Sequence, residues 1–375
     1  MKELNIGKII VAKRREKGLT QEDLAAYIGV SKASVSKWET GQSYPDITLL
    51  PQLGAYFNIS IDELMGYSPQ LTAADIKALY HRLADDFATR PVAEVLAECE
   101  TIIKKYYSCF PLLLQMAVLL ANHHMLAADP ESAKTILDQA VTLCQRIRAE
   151  SDDRYLTRDA ISIEGTCYLM LNQPAQIMEL LGETVRPFPT DTEMLAQAYQ
   201  MAGNPDKARQ VLQISSYQHL LFLVSTASAY LMLNANDLGQ VGKILTRTLG
   251  VAELYDLDAL HPNTMAQVYY AAAQVYASHQ DADTALAYLA DYTKVCVSDF
   301  FPYALHGDDY FDAIQPWFED FDLGVGPPRS EEVIKQSMLD GLVANPQFDF
   351  IKADRRFQDL IKQLEAHLTN KGDNQ

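Results

Sequence analysis

From residue 19 to residue 66, apolar positions recur with the period of an α-helix and are interrupted by short turns. Thr20 is a typical N-cap residue, and the helix that follows it is expected to end at Gly29. Ser31 is the next N-cap, and Val35 and Trp38 share one side of the helix that it opens. Trp38 is therefore expected in the core. The opposite side carries Lys32, Ala33, Ser36, Lys37 and Thr40.

A short helix with one apolar side and one small or cationic side, set after a tight glycine turn, is typical of a helix-turn-helix. The chain resembles the Cro/C1-type, or XRE-type, helix-turn-helix family over roughly Leu4 to Gly66. The resemblance implies a five-helix, lambda-repressor-like DNA-binding domain. The matching residues are Arg14, Gly18, Thr20-Gln21, Leu24-Ala25, Gly29-Val30-Ser31, Val35-Ser36, Trp38-Glu39, Gly41, Pro45 and Ser60-Ile61-Asp62-Glu63-Leu64. Ser60 and Glu63 have the spacing of a capping box.

The second helix of such a motif lies in the major groove, with its N-terminal residues against base edges. We therefore expect Lys32, Ala33 and Lys37 to read bases, since an ammonium donates to guanine N7 and O6 and a methyl packs on thymine. Gln21 opens the preceding helix, whose N-terminal amides favour a phosphate. The other residues expected to cap the helix or to face phosphates are Ser31, Ser34, Ser36, Thr40, Gln42, Ser43 and Tyr44.

Arg14 and Glu39 stand at positions where the resembled family has a partly buried ion pair. The resemblance implies that they bridge the first and third helices of the domain. Removing one partner of a bridge of this kind leaves a poorly solvated charge. We therefore assign both residues a structural role.

Beyond residue 72 the chain reads as a succession of helices separated by short turns, without the alternation typical of strands. A helix is expected from Thr72 to about Thr89. The predicted turns are Arg90-Pro91, Asp129-Pro130, Asn172-Gln173-Pro174, Gly203-Asn204-Pro205, Asn234-Ala235-Asn236, His261-Pro262 and Asn345-Pro346. This part is therefore predicted to be all-α.

One short pattern recurs there at a constant spacing. Its copies are Cys167-Tyr168-Leu169-Met170, Ala198-Tyr199-Gln200-Met201 and Ala229-Tyr230-Leu231-Met232. Each copy precedes a turn and an amphipathic helix, a pattern that resembles the tetratricopeptide repeat (TPR). The resemblance implies a TPR-like α-solenoid with a concave binding surface. The alternative is an unrelated array of helices in which the constant spacing of the three copies arises by chance.

Charge separates the two parts. Eight basic and eight acidic residues precede residue 67, so the whole net charge of −18 belongs to the rest of the chain. Phosphates would repel that acidic part, and only the first part is expected to face DNA. We predict a DNA-binding domain at 1–66, a linker at 67–71 and a helical-repeat domain at 72–375.

Several other classes of protein are not favoured. The five cysteines are scattered without a CxxC pair and are expected to be buried thiols. No His-Glu-x-x-His motif or glycine-rich phosphate loop occurs, and the adjacent pair His123-His124 is a poor metal site. No apolar run is long enough to span a bilayer, and Met1-Lys2-Glu3 does not begin a signal peptide. We expect a cytoplasmic protein that is not an enzyme and has no cofactor and no metal.

The segment Asp299 to Val325 is rich in aromatic and acidic residues and contains no Lys or Arg. Its acids are interpreted as a solvated face over an aromatic core, the alternative being an interface for a partner. The following segment, Ser330 to Leu364, resembles the tail of helix-turn-helix regulators of low-GC Gram-positive bacteria. It is predicted to form a terminal pair of helices.

In domain order the chain is similar to the peptide-pheromone regulators of Gram-positive bacteria. That similarity implies a transcriptional regulator that binds a palindromic double-stranded DNA operator as a homodimer, with a short peptide or protein ligand in the repeat groove. In that family, asparagines bind the peptide. Judged by residue type alone, the corresponding candidates in this chain are Asn122, Asn172, Asn204 and Asn234. The last three fall at predicted turns. Two alternatives are an adaptor that sequesters another protein and a regulator whose repeat domain only dimerises.

Overall fold

A computed structural model describes residues 6–66, 70–185, 191–298 and 300–369 of the chain. Every regular element in these ranges is helical, and no β-strand occurs among them. The predicted all-α class is therefore confirmed. Within the same ranges, no helix is both long enough and apolar enough to cross a bilayer.

The helices follow the predicted periodicity, and each predicted turn lies at a junction between two helical elements. The N-terminal helices are α1 (Ile6–Glu16), α2 (Gln21–Ile28), α3 (Lys32–Glu39), α4 (Leu50–Phe57) and α5 (Ile61–Met65). They are followed by α6 (Ala73–Thr89), α7 (Val92–Lys105), α8 (Phe110–His123), α9 (Pro130–Glu150), α10 (Arg154–Met170), α11 (Pro174–Leu181) and α12 (Asp191–Met201). The last are α13 (Pro205–Leu233), α14 (Leu238–Leu254), α15 (Leu257–Leu260), α16 (Pro262–Ser278), α17 (Ala282–Val297), α18 (Gln315–Glu319), α19 (Glu331–Val343) and α20 (Arg355–Thr369).

The chain divides into two compact units. One comprises Met1–Ile76, Leu96–Val118 and Gln139–Glu164, and the other comprises Lys77–Val95, Leu119–Asp138 and Gly165–Gln375. Residues 67–69 of the predicted linker lie outside the described residues. The domain boundaries at 66 and 72 stay a prediction.

Local hydrogen bonds fix both ends of α2 and the start of α3. The Thr20 hydroxyl accepts a bond from the Asp23 amide at 3.1 Å, and the Asp23 carboxylate accepts one from the Thr20 amide at 2.8 Å. Gly29 ends α2 with φ at +80°, in the left-handed region that favours glycine, and its N–H donates to the Ala25 carbonyl. Ser31 then caps α3 by accepting a bond from the Ser34 amide at 3.1 Å. The caps predicted from the sequence are confirmed.

The capping box predicted for α5 is only half formed. The Ser60 hydroxyl accepts a bond from the Glu63 amide at 3.1 Å, as expected. The Glu63 carboxylate, however, lies 3.2 Å from the Lys13 ammonium of α1 instead of closing onto the Ser60 amide. This part of the prediction was wrong, because a cation from a distant helix takes the carboxylate.

Helices of the second part pack mainly against their neighbours in the chain, as expected for a TPR-like array. In the second compact unit α12 packs against α13, α13 against α14 and α16, and α16 against α17. One element departs from a simple tetratricopeptide pattern. Helix α13 runs without a break from Pro205 to Leu233 and joins the second helix of one predicted repeat to the first of the next. No glycine or proline follows Pro205 within that span to end it.

The aromatic and acidic segment forms a core beneath a polar surface. Tyr217 of α13 packs edge to face on Phe311 and Phe318, with ring centroids 5.4 and 5.5 Å away. Asp312 is exposed and forms an ion pair with Arg209, which lies on α13 as Tyr217 does. This arrangement agrees with a solvated acidic face over an aromatic core. Asp299, the first residue of the segment, lies outside the described residues.

Two further expectations concern individual residue types. All five cysteines are buried, as predicted. Three of the asparagines considered as ligand-binding residues lie at helix ends: Asn204 caps α13, Asn234 ends it, and Asn172 precedes α11 with φ at +54°. These three residues therefore shape turns.

Candidate nucleic-acid interface

Helix α3 has two chemically different sides. Val35 and Trp38 are 0% and 5% exposed and pack in the core of the N-terminal helices. Lys32, Ala33 and Lys37 are exposed on the other side. The structure thus places the three expected base-reading residues together on one accessible surface. Their contact with DNA stays a prediction.

The two lysines of this surface differ in their surroundings. The Lys32 ammonium lies 3.3 Å from the Glu22 carboxylate of α2, and both side chains are largely exposed. Lys37 forms no ion pair with any described residue. Because a phosphate or a base must compete with Glu22 for Lys32 but not for Lys37, the two cations are not equivalent before DNA binds.

Several of the predicted phosphate-facing hydroxyls already make hydrogen bonds. The Ser31 and Ser34 hydroxyls lie 2.9 Å apart at the N-terminus of α3. The Thr40 hydroxyl donates to the Ser36 carbonyl at 2.9 Å. Ser31 and Thr40 therefore help to define the two ends of the helix. A phosphate oxygen would have to displace the Thr40 bond to use its proton.

The loop after α3 carries the remaining candidates. Gly41 continues the chain with φ at +73°, and the Gln42 and Ser43 amides both donate to the Lys37 carbonyl. Gln42 and Tyr44 are exposed, whereas Ser43 is half-buried. This loop holds its polar side chains beside the C-terminal end of α3. Contact of these side chains with a phosphate stays a prediction.

A polar network fixes α3 to the helices before it. Arg14 of α1 donates from Nε and from Nη2 to the two carboxylate oxygens of Glu39, at 2.6 and 2.9 Å. Nη1 of the same guanidinium donates to the Leu19 carbonyl at 2.7 Å. Gln21 of α2 donates its side-chain amide to Glu39 at 2.8 Å. The carboxylate therefore joins α1, α2 and α3 at one point, as the family resemblance implies for Arg14 and Glu39.

The charge state of this network follows from its geometry. Burial raises the pKa of the Glu39 carboxyl, but the hydrogen bonds from Arg14 and Gln21 and the Arg14 charge outweigh it, so the pKa lies below its ordinary value. The hydrogen bond to Glu39 raises the pKa of Arg14 above its ordinary value. Both groups are charged at neutral pH. The side chains are only 12% and 6% exposed, so each depends on the other for its solvation.

Gly7 of α1 is a structural residue that the motif reasoning missed. A Cβ atom at this position would lie 2.2 Å from the Trp38 carbonyl oxygen. Only a glycine therefore allows α1 to approach the C-terminal end of α3 so closely. A glycine inside an otherwise helical pattern was the available signal.

With this geometry in view, the comparisons with known proteins identify the segment. A helix-turn-helix family model matches residues 10–64. The N-terminal segment is an XRE-type helix-turn-helix domain. The chain is also 40% identical over 62 residues to the HTH-type transcriptional activator BcrR of Enterococcus faecalis. That match spans 16% of this chain and 30% of BcrR, so it concerns the helix-turn-helix segment and not the whole protein.

Among solved structures, the chain is similar to two regulators over most of its length. Bacillus thuringiensis PlcR, solved in complex with the peptide PapR7 and DNA, is 15% identical with a TM-score of 0.25, over 78% of this chain and 92% of that one. The apo form of the competence regulator ComR from Streptococcus vestibularis is 13% identical with the same TM-score and coverage. A TM-score of this size does not by itself establish a common fold.

Proposed function

We propose that this protein is a cytoplasmic transcriptional regulator that binds an operator in double-stranded DNA through its helix-turn-helix domain. The observation that supports the proposal is the exposed side of α3, where Lys32, Ala33 and Lys37 lie together on a helix whose other side is buried. The Arg14–Glu39–Gln21 network holds that helix at a fixed angle to α1 and α2. A recognition helix needs such support because small displacements break base contacts.

The residues of this surface have distinct proposed roles. Lys32 and Lys37 donate to guanine, and Ala33 packs on a thymine methyl. Gln21, Ser31, Ser34, Ser36 and Thr40, together with Gln42, Ser43 and Tyr44, position the phosphate backbone. Since the acidic excess lies entirely after residue 66, the rest of the chain does not add to the attraction for DNA.

The protein acts as a homodimer in this proposal. One recognition helix covers only a few base pairs, so useful specificity requires two helices on a two-fold operator with half-sites about one helical turn apart. Selection of binding sites from random double-stranded DNA with the full chain tests this point. An inverted repeat is expected among the selected sites. A single asymmetric half-site overturns the dimer, and the absence of any selected motif overturns sequence-specific binding.

The helical-repeat part has a proposed sensory role. A surface groove of about 360 Å³ lies along the first turns of α13, lined by Gln200, Arg209, Leu212, Gln213 and Tyr310 among others. Apolar and hydrogen-bonding groups together suit a short peptide or a segment of a protein partner. A ligand that binds one shape of this part better than another would change operator affinity, typically by about 5–150-fold.

Titration of culture extract from the native host into an operator-binding assay tests the sensory role. A fraction that shifts operator affinity in the full chain, but not in a Leu212→Lys variant, supports a ligand in the groove. No shift with any fraction favours a regulator whose repeat part only dimerises. A protein that co-purifies in stoichiometric amount and blocks operator binding favours the adaptor instead.

A further inference from the structure

Helix α13 exposes an apolar face that carries no formal charge. Between Arg209 and Asp237 the sequence contains no Asp, Glu, Lys or Arg. Within this run Leu223 is 59% exposed, Tyr230 48% and Leu233 81%. The core side of the helix is formed by other residues, namely Tyr217, Leu220, Val224, Ala227 and Leu231. Solvent therefore meets a helix face on which no charged side chain stands.

Two other long uncharged runs in the chain are buried, which makes α13 unusual. The run through α8 places Leu112, Leu113, Met116 and Leu120 in the core, each fully buried. The run through α16 is buried along most of its length. These two long uncharged runs thus form interior helices. A helix with this composition and an open face is expected to be covered by another surface.

The net charge of the chain indicates which partner covers the exposed face of α13. Each chain carries a formal net charge of −18, all of it after residue 66, so two copies repel one another over most of their surfaces. The repulsion is smallest where both partners lack carboxylates, and the outer face of α13 meets that condition over many turns. A basic partner would gain nothing from a face without acids. The most favourable occupant is therefore a second copy of the same face.

The order of residues along the face fits a two-fold pairing. The stripe Leu223, Thr226, Tyr230 and Leu233 has the alternating spacing of three and four residues that lets two helices interlock. The small residues Thr226 and Ala229, both exposed, lie near its middle and allow close approach. In an antiparallel pair centred there, Leu223 of one copy faces Leu233 of the other. An isologous contact of this kind is self-complementary.

We propose that two copies of this chain associate through the outer faces of their α13 helices, antiparallel about a two-fold axis midway between Thr226 and Tyr230. This inference rests on the proposed dimeric function and names the surface that serves it. The surface lies beside the groove and leaves Gln200 and Tyr310 outside the contact.

Sedimentation of the full chain with single charges added to this face provides the test. Leu223→Glu is expected to raise the dimer dissociation constant by about 100-fold, because two unpaired carboxylates enter the interface. Leu254→Glu is the matched control, since Leu254 is 83% exposed at the end of α14 and lies outside the stripe. It should leave the dimer unchanged. Circular dichroism melting checks that both variants keep the wild-type fold.

A charge-swap experiment adds a result that a merely structural role would not produce. Leu233→Lys alone should also weaken the dimer, whereas a mixture of Leu223→Glu and Leu233→Lys chains should form a heterodimer. An antiparallel pair places the new carboxylate of one chain opposite the new ammonium of the other. Homodimers of Leu223→Glu that are as stable as those of the wild type, or no preference for the heterodimer, overturn the proposed surface.

The contact surface on α13 and the dimeric function can be disproved separately. If the Leu223→Glu dimer persists and the full chain still selects an inverted-repeat operator, the surface is wrong and the dimeric function stands. If the wild-type chain sediments as a monomer and selects no operator, the function fails with it.

Discussion

Helices α3 and α13 are alike in burying one side and exposing the other, but their exposed sides have opposite chemistry. The outer side of α3 carries Lys32 and Lys37 among small polar residues, whereas the outer side of α13 carries leucine and tyrosine without a charge. Cations suit a polyanion, and an uncharged apolar face suits a partner that would otherwise be repelled. The difference teaches that the solvent side of a helix, more than its core side, indicates the kind of partner.

The two regions also stabilise their structures by different means. The N-terminal helices depend on a bidentate ion pair between Arg14 and Glu39, to which Gln21 adds a third hydrogen bond. In the second unit His123 of α8 is 1% exposed, stacks on Phe87 at 4.5 Å and is hydrogen-bonded to the Leu119 carbonyl. One region thus buries a charge with its partner. The other buries a titratable group in neutral form.

The largest effect is expected from breaking the buried ion pair. Glu39→Ala leaves the Arg14 guanidinium poorly solvated and should lower the free energy of unfolding of the N-terminal region by about 3–5 kcal/mol. Urea denaturation followed by Trp38 fluorescence in a Trp317→Phe background measures it. The matched control is Glu22→Ala, whose carboxylate is 75% exposed and which should change stability little. Equal effects of the two variants would contradict the structural role of the network.

The next largest effect concerns acid and sharpens the contrast between the regions. Burial lowers the pKa of His123 to about 4, from an ordinary value of about 6.5. As the pH falls, His123 is therefore protonated in the unfolded chain before it is protonated in the folded chain. The free energy of unfolding is highest above pH ~6.5 and falls by about 3 kcal/mol as the pH drops to ~4. Burial lowers the pKa of His261 as well, in the same sense.

Denaturation of the full chain at a series of pH values tests this prediction. His123→Leu should flatten the profile between pH ~6.5 and ~4. Glu39→Gln should act elsewhere, because the lowered pKa of Glu39 gives stability that is present above its unfolded pKa of about 4.3 and is lost only below it. If the His123→Leu variant and the wild type lose the same stability between pH ~6.5 and ~4, the lowered pKa of His123 is contradicted.

A smaller effect is expected at the DNA surface. Lys37→Ala and Lys32→Ala should each weaken operator binding by about 1–3 kcal/mol and relax specificity at one position of the half-site. Binding titrations on operators with single base changes measure both quantities. Lys17→Ala, in the turn after α1 and outside the recognition helix, is the matched loss of charge and should weaken binding to all sequences alike. If sequence specificity is unchanged in both the Lys32→Ala and the Lys37→Ala variants, these lysines do not read bases.

The smallest effect separates the two lysines from each other. Because Glu22 pairs with Lys32 in the unbound protein, Glu22→Ala should tighten operator binding by about 0.2–1 kcal/mol. The gain should vanish when Lys32 is also replaced by alanine, and it should persist in the Lys37→Ala background. A double-mutant cycle measures the coupling. Coupling of Glu22 to Lys37 instead would show that the two cations are not distinguished as the structure indicates.

Much of the N-terminal region could be predicted because its signals are local. The caps at Thr20 and Ser31, the glycine turn at Gly29 and the core position of Trp38 each depend on a few neighbouring residues. The capping box at Ser60 shows the limit of such reasoning. Its spacing was correct, but the distant Lys13 takes the carboxylate that would complete it.

The second part was predicted more coarsely for a related reason. Hydrophobic periodicity and proline or asparagine turns located its helices, and the repeated tyrosine pattern indicated helix pairs. Periodicity does not say whether the outer side of an apolar helix will be covered. The runs in α8, α13 and α16 look alike in sequence, yet only the packing of other helices distinguishes the buried pair from the exposed one.

By itself the sequence determined the all-α class, the caps of α2 and α3, the core side of α3 and the confinement of the net negative charge to the part after residue 66, because these follow from residue type and local spacing. Only the tertiary structure decided the approach of Gly7 to the Trp38 carbonyl, the pairing of Lys32 with Glu22 and the exposure of the uncharged face of α13. Each of these depends on how separate helices pack against one another. A pattern along one segment carries no record of which other segment will lie against it.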